Sequence, residues 1–332
     1  MNSEIIRIQL PKTINPQNDF CTYTKNAYLT HTNPNDNKEI DTEWLSVTYE
    51  DRRYDELINE KIFLLHDESG LNYAHFFFNF FGKCLYFDEL RKTIPNLKLA
   101  IPSYFYSEEG NITFIKQWLN LYYQDNMPNI IVLDKNITYL VSDLYTPQTL
   151  YGFPMSHGDD YIIDKILETV AKVPNIQVNK NGCYISRQDT IKRGWYHSRE
   201  LENELELIEK IKSELNYDII ELMDYDMIDK IQIFKSYKNI IQQSSASNVN
   251  ILFSNKSNTN TIITHPKMEG WLGYKCQQFS NKSKTNLISL DGGGVLTAEL
   301  GEDQTDGNNL AWKLFDIDSI IEVLKQIDRE EI

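Results

Sequence analysis

DIIELMDYDMIDKIQIFKSYKNIIQQSSASNVNILF, residues 218–253, is the stretch whose reading decides the fold. Two short β-type runs, DIIEL and NIIQQ, bracket a run with helical spacing. The second run ends in Ser244, Ser245, Ala246, Ser247 and Asn248. Strand, acidic turn, helix, strand and a small polar loop entering another helix is the pattern of a parallel α/β sheet. In such sheets ligands bind where strand C-termini release loops into helix N-termini. Backbone N–H groups and the helix dipole favour an anion there. The stretch therefore points to a nucleotide-type ligand.

The same rhythm extends both ways. CYISR (183–187) reads as a strand and 199–215 as a charged helix with apolar Leu201, Leu205, Ile208, Ile211 and Leu215. TIITH (261–265) and NLISLDG (286–292) read as strands, and 316–327 as a final helix. Upstream, KIFLL (61–65), NIIVLD (129–134) and TYLVSDL (138–144) read as strands. Asn72 to Lys92, 111–124 and 159–173 have apolar positions at helical spacing. Residues 1–60 read as mixed and turn-rich, with NPQND and HTNPNDN. The expected organisation is an α/β domain over 1–178, a second, Rossmann-like domain over 179–315, and a helix at 316–332 packing back on the first domain.

A chain of 332 residues suits two domains of about 150 residues each. With 41% hydrophobic residues it can bury full cores. A net charge of −15 argues against bulk binding to nucleic acid, which calls for a basic face. Local Arg and Lys clusters can still bind an anion. Four scattered cysteines, none in a C-x-x-C pair, suit a reducing compartment. The N-terminus shows no basic segment followed by an apolar one, and no run approaches 18 apolar residues. The expectation is a cytoplasmic protein without a transmembrane segment, with at most weak peripheral attachment to a membrane.

Several constellations could carry chemistry. Arg187, Lys192 and Arg193 lie at or after a strand end, where guanidinium forks bind phosphate oxygens in pairs; the plainer reading is a solvated basic loop. The Ser244–Asn250 loop is either an anion cradle or a polar turn with a capping serine. His75, Asn79 and Lys83 fall at i, i+4 and i+8, one polar stripe on a Phe-rich helix. Such a stripe must meet water, a partner or a ligand, and a histidine satisfied within the core is the competing reading. His66, Asp67 and Glu68 precede that helix as further possible bases. Asp224 and Asp226 form a D-x-D that could hold a divalent metal on a diphosphate, although Asp226 is better placed as a helix N-cap. The triple glycine at 292–294 has neither the G-x-G-x-x-G nor the G-x-x-x-x-G-K-[ST] spacing and reads as a turn. No zinc spacing and no G-x-S-x-G elbow occurs.

These residues together resemble glycosyltransferase family 61, which includes plant cell-wall xylosyl- and arabinosyltransferases, animal secretory O-GlcNAc transferases and bacterial capsule-type enzymes. Three ordered blocks carry the resemblance: Asn72, Tyr73 and His75 before an apolar helix; Ile185, Ser186, Arg187 and Arg193, then Asn203 and Glu204 opening a helix; and Gln232 and Phe234, a strand, then Ala246, Asn250 and Phe253. In the last block the family's His falls on Ser244 and its glycines on Gln242, Ser245 and Ser247. The spacing between Arg193 and Asn203 is also longer than the family's.

The resemblance implies a GT-B-like fold: two Rossmann-like domains with an interdomain cleft. It implies inverting transfer of a sugar from a nucleotide donor, commonly UDP-linked, to a glycan or related hydroxyl acceptor in surface or capsular polysaccharide synthesis. Arg187, Lys192 and Arg193 would hold the diphosphate, Glu204 would hold an arginine or the ribose, and Ser244, Ser245, Ala246, Ser247 and Asn250 would line the donor site. His75 would face the acceptor, the first choice for general base before Asp67 or Glu68. Arginines and helix dipole can neutralise the departing diphosphate, so no metal or other cofactor is expected. The Ser244 departure motivates an alternative, a catalytically degenerate member that binds nucleotide sugar or glycan without transfer.

Overall fold

The computed structural model describes residues 4–7, 20–32, 44–48, 53–66, 72–106, 113–147, 159–189, 201–264, 269–291, 295–299 and 310–329. The chain divides into two compact units, Met1–Ile166 and Leu167–Ile332. The division falls within a helix, Asp159–Ala171, whereas the sequence reading sets the border beyond that helix at 178/179.

The first unit carries a mixed sheet. Its strands are β1 (Glu4–Arg7), β2 (Phe20–Thr32), β3 (Trp44–Thr48), β4 (Glu56–Leu64), β5 (Lys98–Pro102), β6 (Ile130–Leu133) and β7 (Tyr139–Pro147). The order is β1-β2-β7-β4-β5-β6, with β3 also on β2. The β4–β7, β4–β5 and β5–β6 pairs are parallel, and β2 pairs antiparallel with its neighbours. KIFLL fills the middle of this sheet because Ile62, Phe63, Leu64 and Leu65 are all buried.

Between β4 and β5 runs α1 (Tyr73–His75), a π-helical turn (Phe76–Phe80) and α2 (Phe81–Leu90). Asn72 starts it, accepting the amide N–H of Ala74 at 3.1 Å and of His75 at 3.3 Å. The phenylalanines pack edge-on against α3 (Thr113–Tyr123), with the rings of Phe77 and Phe81 centred 4.8 Å and 5.5 Å from Trp118 and Phe76 near Phe114. Deep in this layer, Asp88 accepts the Tyr122 hydroxyl at 2.6 Å and meets Arg91 Nε at 3.2 Å. Burial nonetheless pushes the Asp88 carboxyl above the usual carboxylate range, with Tyr122 and Arg91 opposing.

Residues 1–60, read as mixed, supply β1, β2, β3 and the start of β4, while NPQND and most of HTNPNDN lie outside the described residues. FCTYTKNAYLTHT is broken by Lys25 and Asn26, and Asn26 takes a left-handed φ of 54°. The strand survives because antiparallel pairing with β7 skips only Asn26: Lys25 pairs with Asp143 and Ala27 with Val141.

The second unit is built on a five-stranded, wholly parallel sheet: β8 (Gly182–Ser186), β9 (Asp218–Glu221), β10 (Asn239–Gln243), β11 (Thr259–Thr264) and β12 (Asn286–Asp291), in the order β12-β11-β10-β8-β9. Numbered from β8, this is the doubly wound order 2-1-3-4-5, which reverses between β8 and β10. The helices are α4 (Asp159–Ala171), which enters the unit, α5 (Glu204–Lys210) continued by a π turn (Ile211–Leu215), α6 (Met227–Ser236), α7 (Glu269–Ser283) and α8 (Ile317–Asp328). A short hairpin, β13 (Val295–Glu299) and β14 (Leu310–Lys313), completes it.

One sheet face is buried by Leu207, Ile208 and Ile211 and by Ile317, Ile320, Ile321, Leu324 and Ile327 of α8. The final helix therefore belongs to the second unit's core, not to the first domain as expected from sequence. Its apolar stripe meets Tyr184, Ile241 and Ile263 of the sheet. Asp328 pins the helix end, accepting from Tyr217 Oη at 2.7 Å, Asn239 Nδ2 at 2.9 Å and Asn181 Nδ2. Among the described residues no helix is long and apolar enough to cross a membrane.

Candidate functional site

The strand order brings together the two segments singled out in the sequence. Gln242 lies opposite Ile185 in the parallel register, so β8 and β10 release Arg187 and Ser244 side by side at the point of reversal. Around them is a chain of buried hydrogen bonds. Tyr184 Oη donates to Glu204 Oε1 at 3.0 Å, and the Arg187 amide N–H donates to the same oxygen at 2.9 Å. Gln188 Nε2 donates to Glu204 Oε2 at 2.8 Å. Gln243 Nε2 donates to Tyr184 Oη at 2.8 Å.

Glu204 is positioned by its place at the start of α5, where the helix dipole favours a carboxylate. The preceding Asn203 clamps Leu314, donating to its carbonyl and accepting its amide N–H, each at 3.0 Å. With both carboxylate oxygens bonded to protein and the side chain 1% exposed, Glu204 organises the β8 turn rather than presenting itself to a sugar. Burial lowers the pKa of the Arg187 guanidinium, while the charge of Glu204 and, more weakly, Tyr184 and Asp189 pull it back up. Asp189 is itself buried and accepts the Met223 amide N–H at 2.9 Å, fixing the β8 loop to the end of β9.

The serine bend is an ordered cap. The Ser244 amide donates to the Ile263 carbonyl at 3.0 Å, and its hydroxyl reaches the same oxygen at 3.4 Å. Ser245 and Asn248 form a reciprocal capping box that opens a 3₁₀ helix, Ala246–Phe253. Asn248 Oδ1 accepts the Ser245 amide N–H at 2.7 Å, and its Nδ2 donates back to the Gln243 carbonyl at 3.0 Å. The hydroxyls of Ser245 and Ser247 bond each other at 2.6 Å. Asn250 is fully buried, while Ala246 and Ser247 are half-buried. Beside the bend, Ser244, Ile262, Thr264, Cys276, Leu287 and Ser289 line a cavity of about 90 Å³.

In the first unit the polar stripe closes largely on itself. Asn79 Nδ2 lies 3.3 Å from His75 Nδ1, and Lys83 Nζ donates to the His66 carbonyl at 2.6 Å. Lys83 and Asn79 are buried, and His75 is half-buried. Asp226 acts as the N-cap of α6, accepting the Asp229 amide N–H at 2.8 Å, as read from sequence. Asp67, Glu68, Lys192 and Arg193 lie outside the described residues, as do the glycines at 292–294.

Sequence reasoning missed Tyr184 and Gln243. The signal available was the pair of amides closing an otherwise apolar strand, NIIQQ, since a buried amide needs a partner. Residues 73–263, from the start of α1 to β11, match the family model described as Glycosyltransferase 61. No curated protein matches the chain.

Proposed function

The chain belongs to glycosyltransferase family 61 and is a glycosyltransferase; from that premise we propose that it is an inverting enzyme that moves a sugar from a UDP-linked donor to a glycan hydroxyl, in surface or capsular polysaccharide synthesis. One observation carries the donor half of this reading: Arg187 and the Ser244–Asn248 turn leave adjacent parallel strands where the order reverses. A diphosphate there would meet the guanidinium of Arg187 and the N-terminal turn of the 3₁₀ helix at Ser245 to Ser247. Lys192 and Arg193 would add charge on the same loop. Departure of the nucleoside diphosphate requires that its growing charge be neutralised. Cationic and dipolar groups supply this in the proposal, with no metal ion needed.

Inversion is a single in-line displacement, so a base must take the acceptor proton. His75 is the first choice and Asp67 or Glu68 the next. A GT-B arrangement, a cytoplasmic location and weak peripheral contact with a membrane belong to the same proposal. The deciding experiment incubates the purified chain with a panel of UDP-sugars and glycan acceptors, followed by nuclear magnetic resonance. Transfer with an inverted anomeric centre supports the proposal, and retention of configuration sinks the mechanism.

A second reading has one specific observation behind it. Ser244 stands where the family has histidine, and its side chain is 2% exposed. A degenerate member would bind UDP-sugar and gain thermal stability without turning it over.

A further inference from the structure

The hydrogen bonds between β8 and β10 have their two ends on the turns that would read the diphosphate. One end is the amide N–H of Arg187, the other the amide N–H of Ser245, each bonded to a side chain of the protein. Between them run Glu204, Tyr184, Gln243 and Asn248, entering Gln243 at its side-chain amide and leaving at its main-chain carbonyl: Arg187 N–H to Glu204 Oε1 at 2.9 Å, Tyr184 Oη to the same oxygen at 3.0 Å, and Gln243 Nε2 to Tyr184 Oη at 2.8 Å. Asn248 Nδ2 then donates to the Gln243 carbonyl at 3.0 Å, and Asn248 Oδ1 receives the Ser245 N–H at 2.7 Å. All four linking side chains are at most 2% exposed. A polar chain in so dry a setting has few alternative arrangements, because each broken link leaves a buried group without a partner.

We propose that Tyr184, Gln243 and Asn248, with Glu204, are positioning residues that hold the Arg187 turn and the Ser245 turn in one fixed relation, so that both arms meet a single diphosphate. The assignment rests on the donor-site reading above. None of the four touches the ligand. Gly182 to Ser186 and Asn239 to Gln243 are already fixed to each other by parallel pairing, so the sheet does not need these side chains to form. Beyond the strands, Ser244 still bonds the Ile263 carbonyl and Asp189 the Met223 amide, which tie each turn to its outer neighbour; the four side chains are what tie the two turns to each other.

The test compares the wild-type chain with Tyr184→Phe, which keeps the core ring and deletes only the hydroxyl between Glu204 and Gln243. The ligands are inorganic pyrophosphate, UDP and uridine, titrated by calorimetry or by nuclear magnetic resonance. The expected result is about a tenfold loss of affinity for both pyrophosphate and UDP, the size of one net hydrogen bond, with uridine affinity unchanged and the far-ultraviolet dichroism intact. Unchanged pyrophosphate and UDP affinity overturns the proposal, as does an equal loss for uridine, since a loosened core would weaken every ligand alike. If Tyr184→Phe does not yield folded protein, Gln243→Met carries the same expectation from the other side of the link. Should the wild-type chain bind neither UDP nor pyrophosphate, the donor-site reading falls and the positioning role with it. Loss of binding in Arg187→Ala but not in Tyr184→Phe removes the positioning role alone.

Discussion

Removing the carboxylate of Glu204 should destabilise the second unit far more than neutralising it does. Three donors converge on this side chain: the Tyr184 hydroxyl, the Arg187 amide and the Gln188 side chain. In Glu204→Ala all three lose their acceptor. Gln188 is half-buried and can turn to water, whereas Tyr184 is fully buried and Arg187 half-buried. One fully buried donor at about 1–3 kcal/mol, with the half-buried Arg187 amide adding up to as much again, gives a loss of about 1–6 kcal/mol. In Glu204→Gln the retained oxygen still accepts from Tyr184 and Arg187, and the Gln188 amide can turn over to accept from the new NH₂ group. What is lost is charge assistance, about 1–2 kcal/mol. Urea unfolding with matched m-values measures both. The reasoning is refuted if Glu204→Ala costs under about 1 kcal/mol, or if the two variants are equally damaged.

Arg187→Ala should weaken UDP binding by at least about 1.5 kcal/mol, and unchanged affinity by calorimetry would remove Arg187 from the site. His75→Ala should leave UDP affinity intact while reducing transfer; the 3.3 Å Asn79 contact fits a base only with the Asn79 oxygen turned to Nδ1–H, which leaves Nε2 to take the proton, and equal loss of binding and transfer would make His75 structural. Gly182→Ala should cost about 1–3 kcal/mol in a denaturant melt, because a Cβ there would lie 2.3 Å from the Tyr217 ring; a melt like wild type would contradict that packing. The raised pKa of Asp88 means that its contribution is fully present below the unfolded carboxylate value and is lost as pH rises through the raised folded value. Stability measured from pH 3 to 8 should therefore fall more steeply across that window in wild type than in Asp88→Asn, and parallel profiles would show that the Asp88 carboxyl is not shifted.

The parallel strands of the second unit were legible because each is a short β-branched run ending in turn residues: DIIEL, NIIQQ and TIITH. The N-terminal strands β1, β2 and β3 of the first unit were not. Polar residues interrupt FCTYTKNAYLTHT, and its partner in β7 lies more than a hundred residues away. The helix EGWLGYKCQQFSNKS was also missed, since two glycines and scattered polar residues blur its apolar period. At the site, Arg187 and the serine bend could be picked out as strand-end segments. Their adjacency could not, because β9 follows β8 in the chain while β10 takes the place on β8's other side. The role of Glu204 follows from that order alone: a carboxylate twenty residues beyond Tyr184 becomes its partner only when α5 packs over β8. The final helix was assigned to the wrong domain for a related reason. An apolar stripe shows that a helix is buried but does not name the face that buries it.

The departures from the family pattern can now be weighed physically. Glycines fall on Gln242, Ser245 and Ser247 in the resemblance, and a glycine is indispensable where φ is positive. None of these three positions has a positive φ, and Ser245 is extended at φ −160°. The backbone of the bend therefore tolerates serine without strain, and the two hydroxyls are absorbed by bonding each other. Gln242 is different. Its side chain is 1% exposed, and among the described residues neither its oxygen nor its nitrogen has a hydrogen-bond partner, so it adds bulk and unmet polarity where glycine would leave space. The change at Ser244 removes an imidazole and substitutes a buried hydroxyl directed at the Ile263 carbonyl, which cannot shuttle a proton near neutral pH. Taken together, the bend keeps a capped helix start beside Arg187 and exchanges an imidazole for a buried hydroxyl at one position. On the proposal that His75 takes the acceptor's proton, transfer does not depend on that exchange. A chain that transfers sugar at a rate unaffected by Ser244→His would show that the lost imidazole was never needed for the chemistry.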